Sequence, residues 1–283
     1  MIRISRMRID DLPFAVRLSA QEDWGTPRSD LLRILRISPK TSFIASEDNA
    51  RVGMITTVTF DKNLAWIGNV IVEKKHRGKR IGQHLVTYTV DQLKRIHVKH
   101  IALYCFKENV NFYKKLGFVQ DVQFVRLRLN RFEQNPKSCK SEIGKRLTLA
   151  HLLSLDRQAS GVDRSNLIQS WINEGAGAYF GFEAGDASAF VFVKKYSTMF
   201  DFGPGVSIGA SDNELQSLLD ESLSRTRSKP IEVSCLAQNQ NVLRLLRRFG
   251  FEVTNIGYRM FYDRTATVGI DSASLLLGFL DKG

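Results

Sequence analysis

Cysteine is scarce in this chain of 283 residues, which has three: Cys105, Cys139 and Cys235. They show no metal-ligand spacing and cannot all pair with one another. Neither a metal module nor a disulfide scaffold is expected, and a reducing, cytoplasmic setting is the simpler reading. Long apolar runs are also missing. A membrane-spanning helix needs roughly 18 apolar residues, and the late run Leu275-Leu276-Leu277-Gly278-Phe279-Leu280 is far shorter. No charged segment leading into an apolar stretch opens the sequence, so no membrane partner is expected. Aromatic residues interleaved with the densest basic cluster are missing too. That removes the stacking platform a nucleic acid would use, and a nucleic-acid partner is not expected.

What is present fits a globular enzyme. Hydrophobic residues make up 43% and charged residues 25%, with room for two domains of ordinary size. The net charge of +12 is unevenly placed. Residues 1–140 hold 26 Lys and Arg against 13 Asp and Glu, whereas residues 141–283 hold 15 against 16. Such asymmetry predicts that the first half meets a polyanion.

The basic excess peaks between an apolar run and a helical pattern. Trp66-Ile67-Gly68-Asn69-Val70-Ile71-Val72 is short and rich in β-branched residues, and reads as a buried strand. Ile81, Leu85, Val86, Tyr88, Val90 and Leu93 then recur at helical spacing. Lys74, Lys75, Arg77, Gly78, Lys79, Arg80 and Gly82 fill the turn between them. A helix starting there turns its unpaired N–H groups and the positive end of its dipole toward the end of the strand, which makes an anion site suited to a pyrophosphate.

The pattern V-x4-R-G-x-x-I-G at Val72–Gly82 resembles the acyl-CoA signature of the GNAT superfamily of N-acyltransferases. Asn111-Phe112-Tyr113-Lys114-Lys115-Leu116-Gly117-Phe118 resembles that superfamily's second landmark, F-Y-x-x-x-G-F. Arg80 departs from the pattern, standing where the family usually has its first glycine. The resemblance implies acetyl-CoA as co-substrate with no metal. It also implies a small-molecule or peptide amine as acceptor, and contacts to the cofactor from Val70, Ile71, Val72, Arg77, Gly78, Lys79, Arg80, Ile81 and Gly82. Asn109 is the nearest match to the family's CoA-holding asparagine. A backbone N–H near Val70–Val72 would polarise the thioester carbonyl, and Tyr113 would protonate the departing thiolate. Glu22, Asp23 and Trp24 occupy a loop that borders the acceptor in this fold, so Glu22 and Trp24 are candidate substrate contacts. His76 and Glu73 read as surface residues, and no general base is identifiable. A CoA-binding module without turnover and a basic nucleic-acid-associated protein are the alternatives. Tyr113 favours turnover, and charge concentrated on the cradle favours CoA.

The sequence also repeats itself. Ile101–Cys105 followed by Leu116-Gly117-Phe118 is echoed by Ile231–Cys235 followed by Phe249-Gly250-Phe251. The expected architecture is α+β, with two GNAT-like domains, each a mixed, mostly antiparallel central sheet flanked by helices. The first spans 1–132, a polar linker 133–146, and the second spans 147–283. In the first, helices are expected near Asp10–Ala20 and from a Ser29 cap, with strands at Phe43–Ser46 and Val52–Thr59. In the second copy the helix matching the cradle opens with Ser211-Asp212-Asn213-Glu214, a capping box that satisfies its own N–H groups and places carboxylates where phosphates would sit. Leu246 stands at the position of Tyr113. This copy is expected neither to bind CoA nor to catalyse.

Overall fold

A computed structural model describes residues 1–130, 144–226, 228–278 and 280–283. The chain forms two compact units, neither continuous in sequence. Unit 1 comprises Met1–Asp121, Arg259–Ala266 and Leu280–Gly283; unit 2 comprises Val122–Tyr258 and Thr267–Phe279. Most of the linker expected at 133–146 lies outside the described residues. Its last two residues, Lys145–Arg146, form a short strand.

In unit 1, β1 (Ile2–Arg6), β2 (Phe43–Glu47), β3 (Ala50–Phe60), β4 (Leu64–Val72) and β5 (His100–Phe106) lie side by side in that order. The β1–β2, β2–β3 and β3–β4 pairs are antiparallel, and β4–β5 is parallel. Asp48 and Asn49, both at positive φ, close the β2–β3 hairpin, the twist such two-residue turns require. Helices α1 (Leu12–Ala20) and α2 (Arg28–Ile37) pack on one face, burying Leu12, Leu18 and Leu31 with Ile44, Met54 and Ile71. Ser29 does not cap α2. Pro27 takes that place, because its fixed φ and missing N–H suit the entry to a first turn. Helix α3 (Ile81–Arg95) covers the other face: its Leu85 lies 3.3 Å from where a Cβ on Gly53 would stand, and residues 53 and 54 point to opposite sides of β3. The short α4 (Val110–Lys114) follows β5.

Unit 2 repeats this plan. Its strands are β6 (Phe118–Leu129, from Val122 on), β7 (Lys145–Arg146), β8 (Gly177–Ala184), β9 (Ala187–Lys195), β10 (Phe200–Ile208) and β11 (Ile231–Leu236), in the spatial order β6-β11-β10-β9-β8-β7. Its helices are α5 (Leu149–Ser160), α6 (Ser165–Asn173), α7 (Asp212–Ser224) and α8 (Gln240–Arg248). β10 and β11 are parallel, as β4 and β5 are. Gly117 and Gly250, the glycines of the repeated Gly-Phe pair, both turn the chain at positive φ, +89° and +87°. The strand β12 (Glu252–Tyr262) ends in unit 1, where Arg259–Tyr262 follows β5. Finally, β13 (Ser274–Leu276) pairs with β10.

Candidate active site of unit 1

The parallel ladder of β4 and β5 runs from Leu64 opposite His100 to Ile67 opposite Leu103. Beyond it β4 continues along β3 to Val72 and gains a residue: Thr56 faces Gly68, whereas two residues earlier on β3 Met54 faces Ile71. This bulge contains Asn69 at φ +47°. A bulge bends its strand, and here it falls where β4 runs on past its ladder with β5. Val70, Ile71 and Val72 therefore line an opening instead of a continuous ladder. The sequence reading takes Trp66–Val72 as an unbroken strand. Its Gly68-Asn69 pair is the signal that marks the bulge.

The turn beyond Val72 carries the cradle. Arg77 adopts extended backbone, and its Nε donates to the Val72 carbonyl at 3.1 Å, which ties the loop to the strand. Its Nη2 pairs with Glu22. Gly78 is exposed at φ +83°, with open space where a side chain would be. Arg80 sits in the left-handed region, φ 60° and ψ 12°, as the residue before α3. The loop thus keeps the glycine-like conformation of the family pattern with an arginine in it, at a local cost of about 1–2 kcal/mol. No side chain caps α3, and its first turn contains no acidic residue. The first helical bond from this end is donated by His84 to the Arg80 carbonyl, which leaves the N–H groups of Ile81, Gly82 and Gln83 without helical acceptors.

The charges around this turn are organised. Lys79 donates to Glu47 at 2.9 Å, and His76, half-buried, lies 3.2 Å from Glu73 and 3.6 Å from Glu47. Lys75 approaches Glu73 at 3.5 Å. All of Lys74, Arg77, Lys79 and Arg80 are exposed, and of these Arg77 and Lys79 rest on carboxylates. Glu22 is brought to the cradle loop by its pair with Arg77, and Trp24 is exposed on the neighbouring turn.

Helix α4 reaches the cradle through Phe112, whose Cζ would lie 3.5 Å from a Cβ at Gly82. The next residue, Tyr113, makes edge-on ring contacts with Phe112 at 5.0 Å and Phe118 at 5.7 Å. Its hydroxyl makes no hydrogen bond among the described residues. Burial, with a smaller contribution from Cys105, raises its pKa well above that of an ordinary phenol, so it stays protonated at neutral pH. Asn109 is exposed before α4, and its side chain does not cap the helix. Cys105 is buried beside Met260, and burial pushes its thiol up to about 12.

Unit 2 differs at each of these places. The capping box expected at α7 is present: Ser211 Oγ accepts from the Glu214 N–H at 3.4 Å, and Ser211 N–H donates to Glu214 Oε2 at 2.7 Å. Leu246 is fully buried in α8. The sequence gives no warning of a third difference. Beyond the β10–β11 ladder, β13 pairs with β10, Leu277 N–H donates to the Ser234 carbonyl of β11 at 2.7 Å, and the Leu277 carbonyl lies 2.0 Å from a Cβ placed on Gly203. The opening that β4 and β5 leave in unit 1 is filled here by the chain itself.

Comparison with known proteins agrees with this duplicated plan. The GNAT acetyltransferase family model matches residues 7–118, and a GNAT acetyltransferase domain model matches residues 152–271. The chain belongs to the GNAT family, as a tandem member. Solved structures share its fold. A Pyrococcus horikoshii protein described as an acetyltransferase superposes at TM-score 0.80 and 20% identity, covering 100% of this chain and 96% of that one. A tandem GNAT protein from the clavulanic acid biosynthesis pathway gives 0.67 at 10% identity, covering 94% and 100%. A GCN5-related N-acetyltransferase from Sphaerobacter thermophilus gives 0.64 at 14%, covering 94% and 97%. No curated protein matches the chain in sequence. As a GNAT acetyltransferase the protein is an acyltransferase that uses acyl-CoA. Among the described residues no group of three or more His, Cys, Asp and Glu side chains could hold a metal ion, and no helix is long and apolar enough to cross a membrane.

Proposed function

We propose that unit 1 transfers the acetyl group of acetyl-CoA to a primary amine, and that unit 2 neither binds CoA nor catalyses. The observation that carries this reading is the uncapped start of α3, set at the end of β4 beyond the strand's parting from β5. The N–H groups of Ile81 and Gly82 with the side chains of Lys79 and Arg80 would take the pyrophosphate, and Arg77 and Gly78 would shape the loop. Asn109 would hold the pantetheine arm as it passes α4. The thioester would then lie in the opening along Val70–Val72, where a strand N–H supports negative charge on the carbonyl oxygen.

The amine attacks the carbonyl carbon with its lone pair, and the carbonyl π pair moves to oxygen. Collapse of this intermediate breaks the C–S bond and leaves an amide. The thiolate takes a proton from the Tyr113 hydroxyl, and the proton lost by the amine passes to water and restores the phenol. A phenol is protonated at neutral pH, so the Tyr113 hydroxyl can donate at that moment. Glu22 and Trp24, beside the cradle loop, would border the acceptor, a small molecule or a peptide. The two buried free thiols, Cys105 and Cys235, fit a cytoplasmic protein. We also propose the working domains as 1–132 and 147–283 joined through 133–146, with each compact unit completed by strand residues from beyond its own copy. A panel of primary amines assayed with acetyl-CoA by release of free CoA thiol tests the reading. Amine-dependent release supports it, and release with none of the amines would count against transfer.

A further inference from the structure

Residues Leu280–Gly283 belong to unit 1, far in sequence from the strand they lie on. Trp66 Nε1 donates to the Leu280 carbonyl at 3.3 Å, and Asn69 Nδ2 donates to Asp281 Oδ2 at 3.0 Å. A Cβ on Gly68 would stand 2.2 Å from the Asp281 carbonyl oxygen, so only glycine leaves room for the segment there. A Cβ on Gly283 would likewise lie 3.0 Å from the Trp66 ring. The Lys282 ammonium is buried between the carboxylates of Asp281, at 2.7 Å, and Asp30, at 3.5 Å, with Asp30 also paired to Arg33. Burial alone would lower the pKa of that amine, but the two carboxylates outweigh it and raise it, so Lys282 is held as a cation. Three positions of β4 short of Val70, namely Trp66, Gly68 and the bulged Asn69, are thus fitted to this segment.

The side of the sheet matters. Trp66 and Gly68 face Val58 and Thr56, which share the face of Met54 and hence of α1 and α2, opposite α3. If the thioester enters from the α3 side, the amine has to reach its carbonyl from the face on which Leu280–Gly283 lies. From this we infer that Leu280–Gly283 is a resident pseudosubstrate of the acceptor face: Lys282 stands in for an acceptor that is a primary alkylammonium on a flexible chain, and turnover requires the segment to give way. The inference rests on the acetyl-transfer reading of unit 1. It deepens that reading by naming the class of amine and the device that guards the site.

The test uses the full chain, the Gly68→Ala variant, whose methyl group collides with the Asp281 backbone, and a chain lacking Leu280–Gly283. Acetyl-CoA affinity is measured by calorimetry, and kcat and KM with 1,5-diaminopentane. Both altered proteins are expected to bind acetyl-CoA within twofold of the parent while KM for the diamine falls at least tenfold. In the parent, hydrogen exchange at Leu280–Gly283 is expected to accelerate when the diamine is added and not with acetyl-CoA alone. A segment that only braces the fold would give an unchanged or higher KM with a lower melting temperature and no diamine-dependent exchange. Either result overturns the inference while leaving acetyl transfer intact. Absence of acetyl-CoA binding in all three proteins would instead overturn the transfer reading and take this inference with it.

Discussion

Phe112 stands against the start of α3 at Gly82, its Cζ 3.5 Å from where a Cβ on that glycine would lie. That separation is ordinary van der Waals contact, so a methyl group fits there. Through it the two sequence landmarks of the family meet in space, with the anion cradle on one side and the tyrosine of α4 on the other. A graded substitution at Gly82 can therefore separate steric from electrostatic effects on ligand binding.

Acetyl-CoA is expected to bind with one site per chain. At ~100 times its dissociation constant it should stabilise the fold by about 2.7 kcal/mol. Gly82→Ala should bind within a few-fold of the parent, because the Cβ has room. Gly82→Glu should lose binding, because bulk and negative charge meet both Phe112 and the helix N-terminus. Titration calorimetry reads all three. Two sites per chain, or normal binding by the glutamate variant, would move the anion elsewhere.

Tyr113→Phe removes one oxygen and keeps the ring contacts with Phe112 and Phe118. If the hydroxyl protonates the thiolate, kcat should fall roughly 10²-fold with acetyl-CoA affinity unchanged, since the interaction is made chiefly in the transition state. A tyrosine that merely packs predicts wild-type kcat and at most a small loss of stability. Steady-state kinetics on an amine found in the panel decides between them.

Hydrogen exchange should report acetyl-CoA on one copy only. Protection is expected at residues 70–82 and not at 206–214, where the Ser211–Glu214 box occupies the helix start. Ser211→Ala should lower stability by about 1 kcal/mol, as loss of an N-cap does, without creating a second site. Equal protection of both regions would mean that unit 2 binds the cofactor.

Burial raises the thiols of Cys105 and Cys235 to about 12, from an ordinary 9.0. At pH 8 neither should react with a disulfide reagent until the chain unfolds, which also keeps a CoA-release assay clean of them. Between pH 9 and 12 the native state holds these protons while the unfolded chain releases them, so their contribution to stability is full below 9 and is lost as pH rises through that window. Denaturant titrations of the parent and of Cys235→Ala should show the shallower decline above pH 9 in the variant. Mass spectrometry of alkylated protein checks the labelling, and rapid native-state alkylation at either position would contradict it.

Local pattern made much of this molecule legible. The basic turn at Lys74–Gly82, the strand before it and the helix after it are read from residues within about twenty positions, because a helix N-terminus needs only its own backbone to attract an anion. The capping box at Ser211–Glu214 is legible for the same reason: its partners are three residues apart. The repeated Gly-Phe turns announce the duplication, because a left-handed turn residue is nearly always glycine. Helix α2 departs from the serine cap expected at 29: it already begins at Arg28, with Pro27 at its entry, so Ser29 lies inside the first turn.

Other features depend on residues far apart in sequence, and only the tertiary structure decides them. The bulge at Asn69 is shown by the register of Gly68 against Thr56, and the raised pKa of Tyr113 comes from the desolvation its neighbours impose. The late run of leucines carries no local signal of its purpose. It fills the opening between β10 and β11 because strands that part leave backbone groups seeking partners. At the end of that run, Gly68 and Trp66 receive Leu280–Gly283, and Lys282 reaches Asp30 across some 250 positions of sequence. The sequence by itself determined that this chain would duplicate a GNAT fold and charge one of its helix starts. Which strand openings remain open, and which are stopped by the chain's own residues, was decided by folding, because shape complementarity between distant segments has no periodicity to read.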